Sequence, residues 1–131
     1  MNGSVYRDAT HQNVIVLEMV PGQSWDEISA MFDEEKALAA QTGEPVAVVM
    51  DVSRTPDPPS ADTLSRSRHL FANQPRNIAC WVLLGSNPMG DVMAAVLRAA
   101  QIVRMVSARK MDDAYALADR EIARVGRSEN V

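Results

Sequence analysis

The run Pro45-Val46-Ala47-Val48-Val49-Met50-Asp51-Val52-Ser53 constrains the fold more than any other stretch. Its apolar residues occupy both alternating positions of a strand. Such a strand must be covered on both faces, the usual condition inside a parallel sheet. Each valine buried this way contributes about 1.5–3 kcal/mol. The run ends in an acid and a hydroxyl, so its carboxyl end opens onto a surface. The run 78–84, Ile-Ala-Cys-Trp-Val-Leu-Leu, has the same two-sided character and predicts a second buried strand.

The remaining elements follow from punctuation and period. Residues 5–10 and 13–20 read as two strands joined by a short turn at His11-Gln12-Asn13, hence an antiparallel pair. Pro21-Gly22 stops the second of them. Ser24 and Glu27 have the spacing of a capping box. Beyond them Trp25, Ile28, Met31, Phe32, Leu38 and Ala39 share one helical face, and Gly43 stands in the C-terminal capping place. Glu35 falls near the middle of that face. A carboxylate there must snorkel out, find a partner or serve a function, although a face edge misplaced by one residue is the commoner explanation.

After the opening strand, 46–52, three prolines in the 54–59 loop end the ladder. Ser60 then caps a weakly amphipathic helix over 61–72, with Asp62 in its first turn and Leu64, Leu70 and Phe71 on its apolar side. Asn73-Gln74-Pro75 ends it. Gly85-Ser86-Asn87-Pro88 turns the chain into a helix over about 89–103 that is apolar nearly all round, so it belongs in a core or an interface. Residues 104–108 predict a short edge strand. Asp112 caps a last helix over 113–124, and 127–131 reads as a frayed tail. The order β-β-α-β-α-β-α-β-α predicts an α/β domain spanning 1–131. Its sheet is mainly parallel and five-stranded, with an antiparallel N-terminal hairpin strand and four helices.

Composition removes several functions. A net charge of −4 is wrong for a nucleic-acid binder, which needs a basic face to displace counterions. One cysteine, Cys80, excludes an intrachain disulfide and every standard metal spacing. It sits mid-strand, where a small buried hydrophobe is expected rather than a nucleophile. His11 reads as a turn residue and His69 as a solvated helix residue. No Gly-rich phosphate loop and no nucleophile elbow is present, so no cofactor, metal or catalytic residue is expected. No apolar run reaches the roughly 20 residues of a membrane span. The first residues lack the pattern of a signal peptide, which predicts a cytoplasmic protein.

Ligands of open parallel sheets bind beyond the carboxyl ends of the strands. Those ends supply Asp51, Ser53 and Arg54 from one strand and Ser86 and Asn87 after the next. Ser60 opens a helix in the same region. The expected binding surface is this set.

Val48-Val49-Met50-Asp51-Val52-Ser53, followed by a loop and Ser60 at a helix start, resembles the STAS family, the fold of bacterial anti-sigma-factor antagonists and the wider SpoIIAA-like group. Leu83-Leu84-Gly85-Ser86-Asn87-Pro88 and Met111-Asp112-Asp113-Ala114-Tyr115-Ala116-Leu117 are similar to that wider group. The likeness spans about 5–125. It implies a (βα) superhelix with successive strands side by side and helices mainly on one face. It also implies a non-enzymatic protein-interaction or regulatory module, with Ser60 as the counterpart of a phosphorylated serine. Where the signalling members carry Asp-Ser-Ser/Thr-Gly, this chain has Asp57-Pro58-Pro59-Ser60-Ala61, without the serine pair or the glycine. Some relatives are suggested to hold apolar ligands. On that reading the chain is a carrier or sensor of a small apolar, lipid-like molecule, with Trp81, Met93, Val96 and Leu97 lining a pocket beside the 89–103 helix. An enzyme using Asp51 or Glu35 as acid–base is the least supported reading, since neither has a visible partner. If helices cover mainly one sheet face, either the last helix or a second subunit must cover the other, and a homodimer follows from the second alternative.

Overall fold

The computed structural model describes residues 3–55, 61–85 and 104–129. Eight elements are seen among them: β1 (Ser4–Arg7), β2 (Val14–Glu18), α1 (Trp25–Thr42), β3 (Val46–Asp51), α2 (Ala61–Phe71), β4 (Ile78–Leu84), β5 (Met105–Ala108) and α3 (Met111–Glu129). The strands form one mixed sheet in the order β1-β2-β3-β4-β5. β1 runs antiparallel to β2, and β2, β3, β4 and β5 are mutually parallel. The predicted α/β class, strand count and hairpin strand are therefore as observed. The fourth expected helix, 89–103, lies outside the described residues.

The two-sided strands do what their composition requires. Ile15, Leu17, Val46, Val48, Met50, Trp81, Leu83 and Met105 face one side of the sheet, where they pack on Met31, Phe32 and Ala39 of α1 and Phe71 of α2. Val14, Val16, Ala47, Val49, Cys80, Val82 and Leu84 face the other, against Ala114 and Ala118 of α3. The first face is centred on an aromatic trio. Phe32 stacks on Trp81 with ring centroids 5.6 Å apart, and Phe71 meets Trp81 edge-on at 4.7 Å. The last helix thus covers the second face. That is one of the two covers the sequence left open, and it removes the ground on which a second subunit was expected there.

α1 begins and ends where its caps dictate. Ser24 Oγ accepts from the Glu27 N–H at 3.1 Å and the Glu27 carboxylate accepts back from the Ser24 N–H at 3.5 Å. Gly43 closes the helix in the left-handed region at φ 70°.

Several boundaries differ from the sequence reading, and β2 is shorter at both ends, 14–18 in place of 13–20. β1 stops at Arg7 rather than 10, because Asp8 Oδ1 takes the N–H groups of Thr10 and His11 into a side-chain-capped turn, 2.9 Å each. The β1–β2 connection is therefore the longer stretch 8–13. The last helix starts at Met111 and runs to Glu129, past Gly126, which is tolerated in a helix at a cost of about 1 kcal/mol. The expected frayed tail is helical as far as Glu129.

Candidate functional site

The carboxyl ends of β3 and β4 meet as the parallel topology demands. The Val52 N–H donates to the Leu84 carbonyl at 3.0 Å, and the Gly85 N–H to the Ala108 carbonyl at 2.9 Å. Asp51 is engaged within its own turn. Its Oδ1 accepts from the Ser53 N–H at 3.0 Å and the Ser53 hydroxyl at 2.7 Å, which closes a tight turn over the strand end. Thr55 completes the turn by donating both its N–H and its hydroxyl to the Val52 carbonyl. Gly85 packs directly on this turn. Its φ is +76°, and a Cβ there would lie 2.8 Å from Ser53 Cβ and 3.1 Å from Ser53 Cα. The two strand ends therefore form one ledge that presents the exposed side chains of Ser53 and Arg54. Of the expected surface, Asp51, Ser53 and Arg54 are brought together here. Ser60, Ser86 and Asn87 lie outside the described residues.

A second polar feature lies at the opposite end of the sheet, where residues 72–77 lead into β4. Glu35, on the buried face of α1 between Met31 and Ala39, is 0% exposed. Neither of its carboxyl oxygens has a hydrogen-bond partner. Burial pushes its pKa up to about 7, against smaller opposing effects of the Gln74 side chain and the Lys36 charge. Gln74 Oε1 and Trp81 Nε1 are also buried without partners. A cavity of about 460 Å³ adjoins them, walled by Phe71, Gln74, Pro75, Ile78, Trp81 and Arg104. Trp81 is one of its walls; the pocket expected beside the 89–103 helix is a different one and falls with that helix outside the described residues. Met93, Val96 and Leu97 lie outside the described residues.

Two further clusters were not foreseen. Asp8 is buried, and besides the turn it caps, its Oδ2 accepts from the Tyr115 hydroxyl at 2.5 Å. That bond, with those from His11 and Thr10, holds the Asp8 carboxyl far below the usual carboxylate range. The same bond and burial push the Tyr115 hydroxyl up to about 12. His11, expected only as a turn residue, also stacks on the Tyr115 ring at 3.9 Å. The other cluster centres on Glu121, 2% exposed. It accepts from Arg104 Nε at 2.6 Å, Arg104 Nη2 at 3.1 Å and Arg124 Nε at 3.0 Å. The Arg104 bonds hold its carboxyl below the ordinary range. Both clusters tie α3 to the rest of the fold; in the first, His11 Nδ1 is buried without a hydrogen-bond partner, 3.6 Å from Asp8 Oδ1. No signal in the sequence links Asp8 to Tyr115, because charge and period describe neighbours along one element, not partners across the sheet.

Cys80 is buried on the α3 side of the sheet, and burial pushes its thiol up to about 12, which suppresses the thiolate a nucleophile needs. Among the described residues no group of three His, Cys, Asp or Glu side chains is placed to hold a metal ion. None of the described helices is long and apolar enough to cross a membrane. An open groove of about 590 Å³ runs between β5 and α3 past Ser107, Arg109 and Arg120, and no buried polar atom lacking a partner lines it. Comparison with known proteins finds no matching family model, no matching curated protein and no matching solved structure.

Proposed function

We propose that the chain is a non-enzymatic, STAS-like interaction module of the cytoplasm, built as a SpoIIAA-like (βα) superhelix in which residues 89–103 supply a fourth helix. Its partner surface is the ledge of Asp51, Ser53 and Arg54, extended by Ser60, Ser86 and Asn87. The observation that carries this reading is the state of Asp51. Its Oδ1 accepts two bonds within the Ser53 turn, so the strand end offers a shaped surface, and no acid–base partner is seen among the described residues. Exposed polar groups on a rigid ledge are suited to recognition. A photo-crosslinking side chain at position 53 should trap one protein in cells, whereas the same group at the exposed position 76, at the opposite end of the sheet, should not. Equal labelling from both positions, or none from either, would sink the proposal. Ser60→Asp should weaken or strengthen that crosslink if Ser60 is the modified residue of the module.

The cavity beside Trp81 favours a second reading, carriage or sensing of a small apolar molecule. Native mass spectrometry of freshly purified protein reports it as an added mass that is lost on denaturation. A bare chain mass in every preparation argues against it.

A further inference from the structure

We propose that the free edge of β1 takes up an extended, basic segment of a partner protein as an added strand, and that the acidic flank of α1 selects lysine or arginine on alternate residues of that segment. The inference is independent of the ledge at the carboxyl end of β3.

The backbone of β1 is open on one side. The Asp8 N–H donates to the Val14 carbonyl at 2.9 Å, one step beyond the register pair Arg7 and Ile15. In an antiparallel ladder, bonded pairs alternate with unbonded ones. Tyr6 therefore turns its N–H and C=O to β2, and Val5 and Arg7 turn theirs outward. β2 agrees with this parity. Its alternate residues face β3, where the Asn13 carbonyl accepts from the Ala47 N–H and the Met19 N–H donates to the Asp51 carbonyl. Among the described residues nothing meets the outward groups of Val5 and Arg7. Ser4, Tyr6 and Arg7 are exposed, so solvent reaches the edge. An unpaired row of N–H and C=O groups is a template for a further strand.

The helix above this edge carries the charge. α1 packs across β1 and β2. One of its flanks faces α2: Lys36 Nζ donates to the Ala72 carbonyl at 3.4 Å, and the Arg66 guanidinium lies 5.1 Å from the centre of the Trp25 ring. The helical period puts Glu27, Glu34 and Gln41 on the opposite flank, over the β1 edge. Glu34 is exposed and has no partner among the described residues, whereas Glu27 also serves the Ser24 cap. Asp33 is exposed beside Glu34, and Glu18 pairs with Ser4 at the end of the β1–β2 ladder. Among the described residues of β1, β2 and this flank, the one cation is Arg7, and its guanidinium donates to Thr42 Oγ1.

This charge decides between occupants. Two copies of β1 paired antiparallel are related by a two-fold axis through the sheet, which lays both α1 helices on the same face. Glu34 would then approach its own copy, and facing like charges destabilise such a pair. A basic segment turns the same carboxylates into attraction. Alternate side chains of a strand stand about 7 Å apart, and Glu27 and Glu34 are separated by about 10 Å along α1, a difference that flexible lysine stems absorb.

The test uses the isotope-labelled full chain and the capped hexapeptide Lys-Thr-Lys-Thr-Lys-Thr. At millimolar peptide the Val5 and Arg7 amide resonances should shift and their hydrogen exchange should slow, while the Tyr6 amide, already bonded to β2, keeps its exchange rate. Glu34→Lys should weaken binding about fivefold, and Asp119→Lys, the same charge change on the exposed side of α3, by less than about twofold. Added salt should weaken the wild-type interaction. The capped hexapeptide Glu-Thr-Glu-Thr-Glu-Thr, and the basic peptide methylated on every backbone nitrogen, should leave Val5 and Arg7 unchanged. No response to the basic peptide, changes confined to residues away from β1, equal losses in Glu34→Lys and Asp119→Lys, or an equal effect of the methylated peptide would each overturn the proposal.

Discussion

Tyr115→Phe removes a single hydroxyl and tests the longest-range polar contact described for the fold. The Tyr115 hydroxyl donates to Asp8 Oδ2 across 107 residues of chain. It joins the β1–β2 turn to α3. In the variant, Asp8 Oδ1 keeps its bonds from Thr10 and His11, and only Oδ2 loses its partner. A hydrogen bond to a charged group contributes about 1.5–3 kcal/mol, and a buried carboxylate oxygen left unpaired puts the cost in the middle of that range. The expected loss is about 2 kcal/mol at pH 7, which for a domain of this size lowers Tm by about 6–10 °C. His11 still has a ring to stack on, so stacking does not confuse the comparison. The depressed Asp8 carboxyl adds a pH signature. Stability from a depressed carboxylate is present above its unfolded pKa and lost as pH falls toward the folded one. The gap between wild type and Tyr115→Phe should therefore narrow below pH 4. Urea denaturation of wild type, Tyr115→Phe, Asp8→Asn and the double variant gives the coupling directly. A coupling below about 0.5 kcal/mol at pH 7, or a gap that widens in acid, would refute the reasoning.

Two other substitutions probe separate joints. Glu121→Gln deprives Arg104 and Arg124 of their shared carboxylate, and because both arginines are half-exposed the loss should be about 2 kcal/mol rather than the full cost of a buried pair, read by chemical denaturation at pH 7. Gly85→Ala should cost at least about 1 kcal/mol for the left-handed backbone alone, and the overlap with Ser53 should displace the 51–54 turn, visible as amide shift changes confined to that ledge.

The sequence was most legible where one residue type has one solution. The two-sided runs in β3 and β4 demanded cover on both faces, and they have it. The Ser24–Glu27 box and Gly43 marked the ends of α1 because their bonds are local. Glu35 was visible as an anomaly on an apolar face, but its isolation was not, since whether a partner reaches it depends on Gln74 from another element. The same limit hid Asp8–Tyr115 and Arg104–Glu121. At the carboxyl end of β3, Asp51 and Ser53 were found by topology, yet their mutual bond depends on a turn geometry the sequence does not spell out.

Strand order equal to chain order has a consequence for synthesis. A chain that emerges from the ribosome amino end first can lay each strand beside the one before it, and α1 is available early to cover one face. The cover for Val14, Val16, Ala47, Val49, Cys80 and Val82 is α3, which is made after all five strands. Until residues after Met111 leave the exit tunnel, a nearly finished sheet carries a bare, β-branched flank of the kind that self-associates. α3 therefore sets the moment at which both sheet faces are covered in the nascent chain, and a premature stop before it should give an aggregating product rather than a weakened domain.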